Sequence, residues 1–375
     1  MMEIEIRRVT TRKELKKFIC FQLELYKNNP YWCPPLIFDE LNTLSNDKNP
    51  AFEYCKAEYW LAYRDNKIIG RIAGIINNKA NQRWNEHFVR FGWIDFIDDI
   101  NVSSELIKTV TEWGRSKGMT EIQGPLGFTD MDPEGMMVEG FQELSSLSAI
   151  YNYPYYPEHL VQLGFTKGVD WVHFDINIPQ VIPEKVSRSA VIVKEKYHLR
   201  TLNAKKAKDF IPYTKKMFRM LNVAFDDLYG YAPIGEKQID LYIKQYFGFI
   251  RPEYVSIVID DNDDVIAFGV TIPDMTHALQ KCKGRLFPFG FLHLYRALRK
   301  NDTIHMYLIG VRPDYQGRGA LALVYSELHK AYLKNGIVKT TTNAQLENNL
   351  KAISIWKNYD SRIYQRRRCW EKHTL

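Results

Sequence analysis

Several features that would narrow the class of protein at once are missing from this 375-residue sequence. The five cysteines are scattered, odd in number and free of any Cys-x-x-Cys pair, which argues against a disulfide framework and against a structural zinc site. No apolar run approaches the length needed to span a membrane, and the first residues lack the apolar core of a signal peptide. We therefore expect a cytoplasmic protein with no metal site.

The composition has no strong bias either. Apolar residues make up 45% and charged residues 25% of the chain, as in ordinary globular proteins. The net charge of +7 suits phosphate-bearing ligands, although a lysine-rich solvated surface explains it equally well, and we expect no DNA partner. A chain of this length usually divides into two domains, and the oligomeric state is left open.

One stretch organises the rest of the chain. The apolar run 306–311 predicts a buried strand, which the segment 312–314 ends because its proline presets a turn. Gln316-Gly-Arg-Gly319 then opens a predicted helix with an apolar face. A glycine turn between a strand and a helix N-terminus directs backbone N–H groups at one spot, where a pyrophosphate can bind. An ordinary strand-to-helix turn is the alternative.

This stretch, V-R-P-D-Y-Q-G-R-G-A-L-A, resembles motif A of the GCN5-related N-acetyltransferases, and the segment 349–356 resembles the N-x-x-A-x-x-L-Y helix of the same family. The resemblance implies acetyl-CoA or another acyl-CoA as co-substrate and an amine as acceptor. It also implies that the pantetheine arm binds beside the strand and the pyrophosphate binds at the turn. The coenzyme-binding residues implied are Ile309, Val311, Gln316, Gly317, Arg318, Gly319, Ala320, Asn343 and Asn349.

The sequence departs from this pattern at Leu321 and Trp356. Trp356 stands where many members carry the tyrosine that protonates the leaving thiolate, and an indole cannot act as a general acid near neutral pH. The catalytic candidates are His305 and Tyr307, on one face of the strand, and Tyr359, one turn after Trp356. For His305 and Tyr307, on a buried strand, a packed and hydrogen-bonded core role is the favoured interpretation. For Tyr359 a core role is an equally good interpretation.

The two halves of the chain repeat one order of predicted elements, which indicates an internal duplication. The segment 178–183, with two prolines, is the expected boundary between domains 1–180 and 189–375. We expect an α/β (α+β) fold made of two tandem acetyltransferase-like domains, each a mixed, mostly antiparallel sheet flanked by helices. The first half has no glycine-rich phosphate turn, so we expect it to be a structural or substrate-side partner.

An irregular stretch, 124–141, stands out in the first half because it carries Asp130, Asp132 and Glu134 among four glycines. Carboxylates in such a loop suit capture of a cationic substrate amine, although a solvated loop is as reasonable. The stretch also resembles a little-characterised bacterial group of tandem acetyltransferase-like proteins.

Two further segments have competing interpretations. Residues 287–298 are apolar and aromatic, with arginines among them. A core-facing helix is favoured there over an acyl-chain pocket or a membrane contact. The run 366–368, three arginines, predicts a solvated edge strand, with contact to the coenzyme 3′-phosphate as the alternative.

Three functions remain open. The leading hypothesis is an acyl-CoA-dependent N-acyltransferase. The second is an aminoacyl transferase that uses aminoacyl-tRNA, the only case in which tRNA would be a partner. The third is an acyl-CoA-binding or regulatory protein without activity.

Overall fold

The computed structural model describes residues 3–375, and its strands form one continuous mixed sheet. The strands are β1 Glu5–Arg8, β2 Cys55–Arg64, β3 Lys67–Asn77, β4 Phe88–Phe96, β5 Glu121–Gly124, β6 Met136–Glu139, β7 Thr166–Asn177, β8 Arg200–Thr201, β9 Val255–Ile259, β10 Val265–Pro273, β11 Thr303–Val311, β12 Lys339–Thr341, β13 Gln345–Leu346 and β14 Ser361–Lys372. The helices are α1 Arg12–Leu25, α2 Ile37–Thr43, α3 Asn78–Trp84, α4 Ile100–Ser116, α5 Tyr155–Gln162, α6 Glu184–Lys196, α7 Ile211–Ala224, α8 Glu236–Tyr246, α9 Thr276–Cys282, α10 Gly290–Arg299, α11 Ala320–Lys334 and α12 Leu350–Ile353.

The sheet has the internal symmetry that the repeated element order predicts. Its order is β1-β2-β3-β4-β5-β14-β7-β12-β11-β10-β9-β8, with β6 and β13 attached to β14 and β7. The first half therefore contributes β1 to β5 on one side, and the second half contributes β8 to β12 on the other. The pairs β4–β5 and β11–β12 are parallel and the remaining pairs are antiparallel. The α/β fold class expected from the sequence is confirmed.

The centre of the sheet is an exchange of strands between the halves. Strand β14, from the end of the chain, lies between β5 and β7 of the first half. Strand β7, from the first half, lies between β14 and β12 of the second half. Each half thus completes the sheet of the other, because β7 and β14 pair along most of their length.

Local signals account for many of the elements. Helix α1 begins with a capping box at Thr11, where the Glu14 N–H donates to Thr11 Oγ1 at 3.2 Å. Helix α4 begins after Asp99, whose side chain accepts from the Asn101 N–H at 3.0 Å. In the second half, helix α6 leads to β8, which is only two residues long.

One expectation about the surface is wrong. The arginine run lies in β14 at the centre of the sheet, where Arg367 is buried and Arg368 pairs with Asp170 at 2.8 Å, so it is not a solvated edge. The segment 287–298 does contain a helix with a core-facing side, on which Leu294 is buried, but its large aromatic side chains lie on the other side and are exposed.

Candidate active site

Strand β11 carries an open seam on the side of β12. The two strands pair only over Thr303 to His305, after which the chain following β12 leaves to pair with β7 through β13. On the other side, Val270 of β10 lies opposite Leu308 and Thr271 opposite Met306, so a β-bulge stands at Tyr307. Because β11 and β12 pair over only three residues and then diverge, the main chain of β11 lies beside a gap. An extended ligand can fill that gap like an added strand.

The first half has the same seam but closes it with its own chain. Strands β4 and β5 pair only over Phe88 to Arg90. The Leu126 N–H then donates to the Phe91 carbonyl at 2.9 Å. A Cβ atom on Gly92 would come within 2.5 Å of the Leu126 carbonyl oxygen, so the backbones are as close as they can be. The gap that stays open beside β11 is therefore filled in the first half.

The turn between β11 and α11 has the geometry that anion binding requires. Gly317 and Gly319 have φ values of +73° and +86°, which other residues rarely adopt. Within residues 3–375, the backbone N–H groups of Gly317, Gly319 and Ala320 have no hydrogen-bond acceptor. Arg318 is exposed beside them, and its guanidinium lies 5.8 Å from the ring centres of Tyr197 and Tyr315. The helix N-terminus adds partial positive charge at the same place.

A cavity of 310 Å³ joins the seam of β11 to the first half of the chain. Part of its wall is apolar, with Leu36 and Leu147 from the first half and Leu308 and Ile309 from the second. The other part is acidic: Asp39, Glu40, Asp130, Asp132 and Glu134. Three of these carboxylates are the ones predicted from the sequence, whereas Asp39 and Glu40, in α2, were missed.

The carboxylates differ in the hydrogen bonds that they accept. Asp132 Oδ2 accepts from the N–H groups of Phe128 at 2.8 Å and Thr129 at 3.1 Å. Glu40 accepts from the indole N–H of Trp93 at 2.7 Å. Asp130 Oδ2 is buried without a hydrogen-bond partner among the described residues. An unpaired buried acceptor beside a cavity is available to a ligand donor.

Burial shifts the charge state of this acidic wall. Desolvation raises the pKa of Asp132 to about 7 despite its two backbone donors, and desolvation with the neighbouring Glu40 charge raises the pKa of Asp39 to about 7. Desolvation and the adjacent Asp130 charge raise the pKa of Glu134 well above its usual range. Part of the wall is thus protonated near neutral pH in the absence of a cation.

This has a consequence for stability. A carboxyl group with a pKa of about 4 in the unfolded chain and about 7 in the folded chain stabilises the fold at low pH, and that contribution is lost as pH rises through 7. We expect Asp132→Asn to become more stable than wild type, on the order of 2–4 kcal/mol, as pH rises from 5 to 8. Urea unfolding at both pH values measures this, with the exposed Asp47→Asn as control. A difference that does not change with pH would contradict the assignment.

The sequence-predicted residues are only partly brought together. Tyr307, Ile309, Asn343 and Asn349 line the cavity together with the three predicted carboxylates. Asn343 Nδ2 donates to the Tyr307 carbonyl at 3.1 Å, and Asn349 caps α12. The other predicted residues do not line the cavity. They are His305, Tyr359 and the residues of the strand end and following turn: Val311, Gln316, Gly317, Arg318, Gly319 and Ala320.

His305 lies one step behind the cavity. Its Nε2 is 2.8 Å from Ser148 Oγ, which lines the cavity, and its Nδ1 is 2.7 Å from Thr341 Oγ1. Burial lowers the pKa of His305 to about 4, so the ring is neutral at physiological pH. Ser148 lies in an irregular segment without a motif, so it could not be predicted from the sequence.

The tryptophan that replaces the usual tyrosine is structural in its contacts. Trp356 is buried at the cavity wall, and its indole N–H donates to Gln345 Oε1 at 3.0 Å. The helix that the resemblance implies for 349–356 ends at Ile353, and the chain continues as a 3₁₀ helix over Ser354–Asn358. Tyr359 is extended and packs against Trp356 with ring centres 6.0 Å apart.

Among residues 3–375, no three His, Cys, Asp or Glu side chains are arranged to hold a metal ion, so the five carboxylates do not form a metal site. The same part of the chain contains no helix both long and apolar enough to cross a bilayer.

The fold matches solved tandem acetyltransferase structures over nearly its whole length. A tandem GNAT protein from the clavulanic acid biosynthesis pathway aligns with a TM-score of 0.57 and 12% identity, covering 99% of this chain and 98% of that one. A GCN5-related N-acetyltransferase from Sphaerobacter thermophilus aligns with a TM-score of 0.53 and 10% identity, covering 99% and 96%. The protein therefore has the tandem GCN5-related N-acetyltransferase fold.

At the sequence level no protein-family model matches. Protein YghO of Escherichia coli strain K12 is 26% identical over 378 aligned residues, covering 98% of this chain and 95% of YghO. The bacterial ceramide synthase of Caulobacter vibrioides is 26% identical over 324 aligned residues, covering 82% and 80%.

Proposed function

We propose that the protein is an acyl-CoA-dependent N-acyltransferase whose second half, 189–375, binds the coenzyme and whose first half, 1–180, supplies the acceptor side. The observation that carries the proposal is that one cavity is lined both by the open seam of β11 and by half-buried carboxylates. The seam accommodates the pantetheine arm, and the turn of Gly317 to Ala320 accommodates the pyrophosphate. In the first half, the corresponding seam is occupied by Leu126, whose N–H donates to the Phe91 carbonyl.

The acidic wall suits an acceptor that arrives as an ammonium ion. The ammonium group gives one proton to Asp132, and the nitrogen lone pair then attacks the thioester carbonyl carbon. Collapse of the adduct forms the amide bond and breaks the C–S bond, and the second amine proton leaves with the coenzyme thiol. A carboxyl group with a pKa of about 7 is well matched to accept the first proton near neutral pH. Tyr307, a candidate base from the sequence, is the cavity-lining member of the three candidate catalytic residues. We propose that it relays this second proton: its hydroxyl group protonates the thiolate and takes up the proton that the amine nitrogen loses.

We propose that the acceptor amine and the transferred acyl group both carry a long hydrocarbon chain. The cavity combines its acidic part with an apolar part lined by Leu221, Phe225, Leu308 and Ile309. One relative is a ceramide synthase, a name that denotes N-acylation of an amino-alcohol lipid. An amine with an apolar tail would use both parts of the wall.

Titration calorimetry with acetyl-CoA and palmitoyl-CoA, followed by thiol release with long-chain amino alcohols and with short polyamines, tests the function. We expect saturable binding, tighter for palmitoyl-CoA, and thiol release that depends on the amino alcohol. Binding without release by any amine would favour the regulatory alternative. Failure to bind acyl-CoA, with salt-sensitive binding of aminoacyl-tRNA, would favour the tRNA-dependent transferase.

The turn has its own test. Arg318→Glu is expected to weaken acyl-CoA binding about 10- to 100-fold, because a charge-assisted contact to phosphate is lost and a repulsive charge is added. The matched control is Lys330→Glu on the same helix, roughly 18 Å further along, which should change the Kd less than twofold. Arg318 is preferable to Gly319, where φ is +86° and a Cβ atom would lie 2.9 Å from Val193 Cγ2. Equal effects of the two reversals would contradict the proposed pyrophosphate site.

A further inference from the structure

An apolar patch protrudes from the second half next to helix α10. Phe287 and Phe289 are 79% and 70% exposed, on the segment that leads into the helix. The helix adds exposed Phe291, Leu292 and Tyr295 on its outer face. Large aromatic side chains this exposed and this close together are uncommon on the surface of a protein that has no partner there.

The local sequence forces this patch outward. Leu294 of α10 is buried against Leu279 of α9, which fixes the inner face of the helix. Gly290 is packed so tightly that a Cβ atom would lie 1.8 Å from the Arg285 carbonyl oxygen, so the turn before the helix is closed. With one face anchored and the turn fixed, the aromatic side chains have no core to enter.

Positive charge surrounds the patch. Residues 275–301 contain no Asp or Glu. The exposed basic side chains within this range are Lys281, Lys283, Arg285, Arg296, Arg299 and Lys300. None of these six forms an ion pair within residues 3–375, whereas exposed lysines elsewhere do, such as Lys330 with Glu327 at 2.7 Å. The charge of this segment is therefore uncompensated.

We propose that residues 281–300 dock on the surface of an anionic lipid bilayer. Exposed aromatic side chains flanked by lysine and arginine are the composition of an interfacial segment, in which the rings enter the headgroup region and the cations contact lipid phosphates. A second copy of this chain is a poor partner for this surface. A twofold contact would bring the six uncompensated cations of one copy against the same six cations of the other.

Docking would bring the cavity wall to the membrane. The Gly284 carbonyl, directly before the patch, accepts from the Ile37 N–H at 3.0 Å. Leu36 lines the cavity and belongs to the same buried cluster as Leu279 and Leu294 beneath the patch. The patch and the cavity thus share one layer of packed side chains. The docking itself does not depend on the proposed acyltransferase activity.

Vesicle flotation with the full chain tests the proposal. We expect binding to vesicles of phosphatidylglycerol and phosphatidylcholine, weak binding to phosphatidylcholine alone, and reduced binding at 0.5 M salt. Phe287→Ser/Phe289→Ser should reduce binding at least tenfold, and Arg296→Gln/Arg299→Gln about 10- to 30-fold. The control Val161→Ser/Val223→Ser, which removes exposed apolar side chains elsewhere, should bind as wild type.

Three results would overturn the proposal. The first is wild-type protein that does not float with anionic vesicles. The second is a phenylalanine variant that binds as wild type while showing the same thermal transition, which verifies its fold. The third is concentration-dependent dimerisation that the phenylalanine variant abolishes, without vesicle binding, which would assign the patch to a second copy.

Discussion

Replacing Asp132 with Asn is expected to lower kcat/KM for acyl transfer by about 100-fold or more, the usual contribution of a positioned general base. The amide oxygen of Asn can still accept from the backbone N–H groups of Phe128 and Thr129, so the loop should keep its geometry. What is lost is the group that takes the ammonium proton. A spectrophotometric assay of thiol release measures the change.

The pH profile makes this prediction sharper than a loss of activity alone. Desolvation raises the pKa of Asp132 to about 7, and a base acts only when ionised, so wild-type kcat/KM should rise with pH through about 7. The Asn variant should lack that rise. Two backbone donors fix the Asp132 carboxylate, whereas the Asp39 carboxylate accepts a hydrogen bond from the Gln245 side chain, which is itself free to move; we therefore assign the role to Asp132.

Two companion variants separate the alternatives. Asp39→Asn, in a residue whose pKa is also raised to about 7, should leave the pH profile in place and change mainly KM. Ser148→Ala interrupts the contact between the cavity and His305. If Asp132→Asn kept full activity and Ser148→Ala lost it, the proton route would run through Ser148 to His305 instead.

The sequence predicted best what depends on short stretches of chain. The strand, glycine turn and helix of 306–334 are encoded by consecutive residues, and the structure has each of them in place. The acidic loop could be proposed as a substrate site because its three carboxylates are close in sequence. Trp356 could likewise be recognised as a departure from the tyrosine pattern.

What the sequence could not predict depends on tertiary packing. Asp39 and Glu40 read as ordinary acidic residues in the first turn of a helix, and only folding brings α2 to the cavity. Three consecutive arginines in β14 suggest a solvent-exposed strand, yet the exchange of strands buries Arg367 in the middle of the sheet. Local patterning carries no information about which distant strand lies alongside.

That exchange also gives the second large prediction, which concerns the division into 1–180 and 189–375. The fragments 1–180 and 181–375, expressed separately, are expected not to fold. The first lacks β14, which lies between β5 and β7, and the second lacks β7, which lies between β12 and β14. Without β14, the buried Trp171 of β7 loses its neighbours in the first fragment. Without β7, the buried Trp370 of β14 loses its neighbours in the second fragment. The loss exceeds the roughly 5–15 kcal/mol that stabilises a typical domain.

Co-expression of the two fragments should restore a soluble 1:1 complex, since the pairing of β7 with β14 needs no covalent link between the halves. Light scattering measures the stoichiometry, and circular dichroism with urea measures folding. The matched control is deletion of residues 1–9, which removes only the edge strand β1 and should leave a cooperative transition. A cooperative unfolding transition of fragment 1–180 alone would show that the first half is an autonomous domain. In that case the exchanged strand would fasten together two domains that are already stable.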